Sequence, residues 1–437
     1  MARSLSFLSA ALLAMLSAAV ATPAPSRVVA RQTANKIVYG HFMVGVVESY
    51  SQEDWELDMR LAQETGLDAF ALNIGKDSYN KQQLAYAYAA AEATGFKVFL
   101  SFDFVYWANT ADDIDTIGSY LRTFADRSGQ LKVGDASVVT TFFGDGFPWR
   151  EAETAAGVPI YAAPIWGPDA LKNNVNVDAG GQWNAWPSEN NQPINANYTT
   201  GGDEWWKVNL GDKPYTAPVS PFFYTHYGAD TFNKNWIFYS DWLWQPRWEQ
   251  ILQLQPELVQ VITWNDFGES HYIGPLHPNK PDVYAGGENG AVRWVSGMPH
   301  DGLRDVAAIY IDAYKRGASA PTVTRDELVA YYRPNPKDTE CSDAVGRPTG
   351  SELVSDSVFV IAMLTQPGTV VIKSGSNAAK TFDLAAGVHT VSAPMGLGVQ
   401  SFELKNGDSS VLSGQGDLEI KDSCSVYNFN YFVAAIV

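Results

Sequence analysis

Two carboxylates, Asp266 and Glu269, stand three positions apart in the stretch VITWNDFGES, residues 261–270. Two acids in different environments can divide acid–base work. One gives a proton to a leaving oxygen while the other draws one from water. The same spacing fits a helix cap, with Asp266 at the N-cap and Glu269 reaching back from N3. The residues that follow weigh against the cap. Gly268, Gly274, Pro275 and Pro278 crowd the next stretch, and glycine and proline at that density stop a helix within about one turn. Asn265 and the two acids could offer oxygens to calcium, but the Asp-x-Asp-x-Asp ligand density of a calcium loop is missing. His41, His226 and His271 are too scattered to give zinc-ligand spacing. The expectation is an acid–base pair with no metal and no cofactor.

The pair must hang from something rigid. Val261, Ile262 and Trp264 favour a strand, so the acids sit at a strand's carboxyl end. From residue 36 to 336, strand-like and helix-like stretches alternate, which implies a parallel sheet covered on both faces. The strand candidates are IVYGHFMVG, LDAFALNIG, FKVFLSFDF, SVVTTFFGDG, VPIYAAPIW, SPFFYTHYG, LVQVITW and ELVAYYRPN. These eight, with no glycine-rich phosphate loop, predict a (β/α)8 TIM-type barrel over residues 36–336. Barrel chemistry lies on the loops after the strands. Those ends carry His41, Asn73, Asp103, Asp145, Trp166 and His226 beside the acid pair and His271. Trp244 and Trp264 lie near the expected mouth as sugar platforms or packing, and Asp241 reads as an N-cap or a substrate contact. The Gly-, Asn- and Trp-rich stretch 167–217 is too long for an ordinary loop and is expected to fold over one side of the mouth. Residues 337–437 change character. Short alternating runs separated by turn residues predict a C-terminal antiparallel β-sandwich.

Composition narrows the partner. An apolar run follows Arg3, and small residues stand at positions 19–21; residues 1–21 read as a secretory signal peptide, and 22–35 as a pro-segment or disordered leader. The expected location is extracellular. In that compartment the two cysteines, Cys341 and Cys424, are expected to pair, and Asn197 in Asn-Tyr-Thr is the glycosylation sequon. The net charge of -18 argues against nucleic acid or an anionic membrane as partner. Fourteen tryptophans, several in polar loops, suit sugar rings with their apolar C–H faces and hydroxyl rims. The chain is read as a monomer acting on polysaccharide.

Three spaced signatures carry a resemblance: GHFMVG near residue 40, YSDWLWQPRWEQIL from 239, and TWNDFGESHYIGP from 263, with YNFNYFV close to the end. The chain resembles the fungal α-1,3-glucanases, or mutanases, of glycoside hydrolase family 71. The resemblance implies a secreted, metal-independent, endo-acting hydrolase that cleaves α-1,3-glucan with inversion. It places the catalytic acids at Asp266 and Glu269 and an important aspartate at Asp103. Glu269 is assigned as general acid and Asp266 as general base, an assignment that can be exchanged. Many mutanases continue through a Ser/Thr/Pro linker into a carbohydrate-binding module, and this sequence shows neither. A barrel glycosidase on another glucan and a non-catalytic wall-binding protein are the alternative readings.

Overall fold

The computed structural model describes residues 36–172, 174–284 and 290–437. The expected signal peptide and leader, 1–35, lie outside the described residues. In chain order the first part runs β1 (Ile37–Met43), α1 (Gln52–Thr65), β2 (Ala69–Ile74), α2 (Asn80–Thr94), β3 (Lys97–Asp103), α3 (Ala111–Phe124), β4 (Lys132–Val133), β5 (Ala136–Phe142), α4 (Trp149–Ala156), β6 (Ile160–Ala162), α5 (Pro168–Leu171) and β7 (Gly180–Gly181). It continues with β8 (Ser188–Glu189), β9 (Gln192–Pro193), α6 (Gly201–Leu210), β10 (Tyr215–Val219), β11 (Tyr224–His226), β12 (Asn235–Ile237), α7 (Trp244–Leu254), β13 (Leu258–Val261), α8 (Val292–Val295) and α9 (Gly302–Arg316).

Local chemistry sets these elements. At the start of α1, Ser51 and Asp54 form a reciprocal capping box, and Gly66 ends the helix in the left-handed conformation. Trp55, Met59 and Ala62 recur on one face of α1 and are buried. Every residue of β2 is buried, as expected of a strand covered on both sides.

The sheet is a curled, predominantly parallel one of nine strands. Its order is β4-β5-β3-β2-β1-β13-β10-β7, with β6 also on β5. Every pairing is parallel except β4 with β5. Ile165, just past β6, makes single parallel bridges to Phe142 and Gly181.

Two expected sheet strands lie elsewhere. SPFFYTHYG supplies β11, which pairs antiparallel with β12 in a hairpin. ELVAYYRPN supplies β14 (Glu327–Tyr332), which belongs to the C-terminal sheets. Their places in the parallel sheet are taken by β7 and β10, inside and at the end of the stretch expected to be irregular. Strand β7 is two glycines. A Cβ on Gly181 would meet the Thr216 carbonyl oxygen at 2.4 Å, so this neighbour approach needs glycine. In β10, Pro218 weakens any strand signal.

The C-terminal part comprises β14, β15 (Ser357–Leu364), β16 (Gly368–Ser374), β17 (Lys380–Leu384), β18 (Gly387–Pro394), β19 (Gln400–Asn406), β20 (Ser409–Gln415) and β21 (Phe432–Ile436). They form two four-stranded antiparallel sheets, β18-β15-β14-β21 and β17-β16-β19-β20. Alternation along β14 shows how they pack. Leu328, Ala330 and Tyr332 share a core with Val370, Ile372, Phe402 and Leu404 of the second sheet. Val329 and Tyr331 face the other way, into the main core with Trp244, Val306 and Tyr310. The first sheet is therefore covered on both faces, and the described residues from 36 to 437 form one compact unit. Cys341 and Cys424 are joined in a disulfide.

Candidate active site

The acid pair lies just beyond β13. Residues 267–270 form a turn, not a helix. The cap-like contact survives without a helix to cap: the Glu269 N–H donates to Asp266 Oδ1 at 3.0 Å. Thr263 Oγ1 accepts the Asp266 N–H at 2.8 Å and lies 3.1 Å from His271 Nδ1, so one hydroxyl spans both flanks of the turn. Gly268 lets the turn close, because a Cβ there would meet the Tyr227 hydroxyl at 2.4 Å. Asn265 fastens the motif to β1, accepting the Met43 N–H at 2.7 Å and donating to the Met43 carbonyl at 3.1 Å.

The two acids are held differently. Lys234 Nζ contacts Glu269 Oε1 at 2.8 Å, and His271 Nε2 lies 3.2 Å from Oε2. Burial opposes ionisation of Glu269, but the His271 hydrogen bond and the Lys234 charge outweigh it and hold its pKa low, at about 2. Asp266 moves the opposite way. Burial and the neighbouring Glu269 charge raise its pKa, against weaker opposition from His271 and Lys234. The two carboxyls are thus shifted in opposite directions, Glu269 toward its charged form and Asp266 toward its protonated one, an arrangement suited to acid–base chemistry. Asp266, Glu269 and His271 each bring one donor atom to within 4.8 Å of the others.

Asp103 closes β3 and is buried. Its Oδ1 accepts the Val105 N–H at 2.9 Å, burial raises its pKa, and the Lys234 charge and Asn73 temper that shift. His41 lies beneath the site, with Nδ1 3.0 Å from Gln260 Nε2 and its ring edge-on to Trp183 at 4.8 Å. Burial, then the nearby His271, lowers its pKa to about 3, so it is neutral. Asp266, Glu269, His271, Asn265, His41, Asn73 and Asp103 therefore gather at one end of the sheet.

Other sequence candidates have structural surroundings. His226 Nε2 lies 2.7 Å from Asp343 Oδ2 and Nδ1 lies 2.8 Å from Asn235 Oδ1, tying the β11–β12 hairpin to the C-terminal segment. Asp241 is fully buried among Arg333, Tyr431 and Ser355. It does not cap α7, whose N-cap is Leu243. Trp166, Trp244 and Trp264 are enclosed in the main core, and Trp244 donates its indole N–H to the Leu303 carbonyl at 3.2 Å. Asn197 is exposed. Sequence reasoning missed Lys234 and Thr263. Thr263 stood inside the motif and could have been found as a hydroxyl flanking the acids. Lys234, in the hairpin turn FNKNW, carried no signal.

The model of glycosyl hydrolase family 71 matches residues 34–437. The chain belongs to glycosyl hydrolase family 71. Curated members include a mutanase of Penicillium rubens, 43% identical over 98% of this chain and 95% of that protein. A glucan endo-1,3-alpha-glucosidase of Schizosaccharomyces pombe is 37% identical over 92% of this chain and 95% of its own length. An ascus wall endo-1,3-alpha-glucanase of the same yeast is 31% identical over 92% and 98%. Membership of family 71 thus covers both the α/β part and the C-terminal sheets.

Proposed function

We propose that this protein is a secreted, endo-acting glycoside hydrolase of α-1,3-glucan. The observation that carries the reading is the unequal acid pair, Asp266 beside a Glu269 clamped by Lys234 and His271, in a family 71 chain with two relatives named for this bond. The electrostatics favour the exchanged roles: Asp266 protonates the glycosidic oxygen, and Glu269 acts as the charged carboxylate that activates water. Asp103 and Asn73 are assigned to the sugar pocket. The fold reading that fits is a closed (β/α)8 barrel, supported by the single bridges through Ile165 that link Phe142 to Gly181.

Inversion follows the family resemblance and makes a demand on the pair. An inverting pair stands about 6.5–9.5 Å apart to admit water, a retaining pair about 5–5.5 Å. Here the closest donor atoms lie within 4.8 Å. Glu269 is pinned on both oxygens, while among the described residues the Asp266 carboxylate holds one backbone N–H. Asp266 is therefore the group that moves toward the leaving oxygen as substrate binds.

The test is direct. Incubation with α-1,3-glucan, β-1,3-glucan, α-1,4-glucan and chitin should release sugar from the first alone. NMR of early products should show β-anomeric reducing ends. Cleavage confined to another glucan removes the substrate assignment. A first product in the α-configuration means retention and makes Glu269 the nucleophile.

A further inference from the structure

The loops around the acids expose aromatic rings. Tyr106 follows Asp103 after β3, Phe143 follows β5, and Phe232 sits in the β11–β12 hairpin with Lys234; they are 57%, 57% and 62% exposed. Each ring is more than half open to solvent, which leaves a face free for a ligand at the catalytic mouth.

Phe143 is the most telling of the three. Its backbone is left-handed, φ 57°, a conformation that bulky residues rarely adopt and that the next position already supplies with Gly144. The chain holds an unfavourable backbone here and presents a phenyl ring to solvent. Phe143 follows Phe142, which is in register with Asp103 across β3 and β5. Beneath it an aromatic path leads inward. Phe142 lies 4.3 Å from Phe143 and 4.8 Å from Trp183, and Trp183 lies 4.8 Å from His41. Asp103 and His41 belong to the acid cluster, so the path joins Phe143 to the reacting end of the cleft.

We propose that Phe143, backed by Phe142 and Trp183, is a stacking platform for a glucose unit of the substrate away from the bond being cleaved. A pyranose presents an apolar C–H face that a phenyl ring can cover while its hydroxyls stay in water. The inference deepens the proposed α-1,3-glucanase activity and rests on it. Phe143 touches no reacting atom in this scheme. It lends binding energy to chains long enough to reach it.

The experiment compares kcat/KM on α-1,3-gluco-oligosaccharides of graded length for the full-length protein and for Phe143→Ala, Phe143→Gly and Phe143→Trp. With the ring gone, Phe143→Ala should lose about five- to tenfold on the long chains and nothing on the shortest cleaved one. Phe143→Gly, which suits the left-handed backbone, should lose as much as alanine, and Phe143→Trp should keep the long-chain advantage. If glycine retains wild-type rates while alanine does not, the residue matters for its turn and the platform is overturned. Equal losses at every length, or none, also overturn it. An inactive wild type instead sinks the proposed activity, a result distinct from either.

Discussion

Glu269 is clamped on both carboxylate oxygens, and that asymmetry governs the chemistry of its partner. A charged Glu269 keeps the Asp266 pKa raised. Activity should then fall as pH drops toward the low Glu269 value of about 2, and fall again as pH rises through the Asp266 value. Lys234→Met removes a cation that favours the charged carboxylate, so the Glu269 pKa rises and the acid limb of the pH–rate profile moves to higher pH. In Glu269→Gln the negative neighbour is gone and the Asp266 pKa falls. Whatever activity remains should lose its alkaline limb at lower pH than wild type. Asp266→Asn and Glu269→Gln should each cost at least about a hundredfold in kcat, with little change in melting temperature, since the amides are nearly isosteric. Near-full activity with intact folding in either variant removes that residue from the mechanism. The two acids were legible in the sequence because they are local to one motif. Lys234 was not. It reaches Glu269 only through hairpin folding, and a lone lysine in a polar turn reads as solvated surface.

Three elements meet at the acids: the β13 end, the β1 end and the β11–β12 hairpin. Asn265 makes the first junction with two hydrogen bonds to Met43. Replacing it by leucine leaves the half-buried Met43 N–H and carbonyl without these partners, a loss of about 1 kcal/mol. Urea unfolding should show that loss, and kcat should fall with it, because the turn carrying Asp266 is no longer fixed against β1. Unchanged stability would mean that water or a shifted side chain serves Met43 instead. At this scale the sequence was legible where elements follow simple rules. Ser51 and Gly66 bound α1 as ordinary helix start and stop residues, and the apolar β1, β2, β3, β5, β6 and β13 fell where expected. It was illegible where the signal lies outside hydrophobic pattern. A strand of two glycines has no side chains to read, and Pro218 masks another. β14 is an apolar run buried on both faces, and pattern alone does not separate such a strand from one in a parallel sheet.

Across the molecule, buried polar groups tie the C-terminal sheets to the rest. Arg333 and Asp241 pair at 3.3 Å with almost no exposure, and Asp343 meets both His226 and Arg293. Asp241→Ala leaves Arg333 short of its partner, and breaking a buried pair in this way costs about 3–5 kcal/mol. Calorimetry should show one endotherm moved to lower temperature for both regions together. Two separate endotherms would show that the regions unfold independently. Reducing the Cys341–Cys424 bond frees a loop spanning 83 positions. In the chain-entropy model that loses about 4.5 kcal/mol, and the single transition should again shift as a whole. The doubly covered sheet β18-β15-β14-β21 has a consequence for anyone building with this protein. Carbohydrate-active enzymes are often assembled from portable modules cut at their borders and grafted onto new hosts. A cut near Pro336 removes β14 from between β15 and β21, and a cut ahead of it bares Val329, Tyr331, Phe359 and Ile361 to water. Either fragment carries a sticky face into solution. The C-terminal sheets are thus a poor graft, and a chimera that stays soluble has to exchange them together with the helices they lie against.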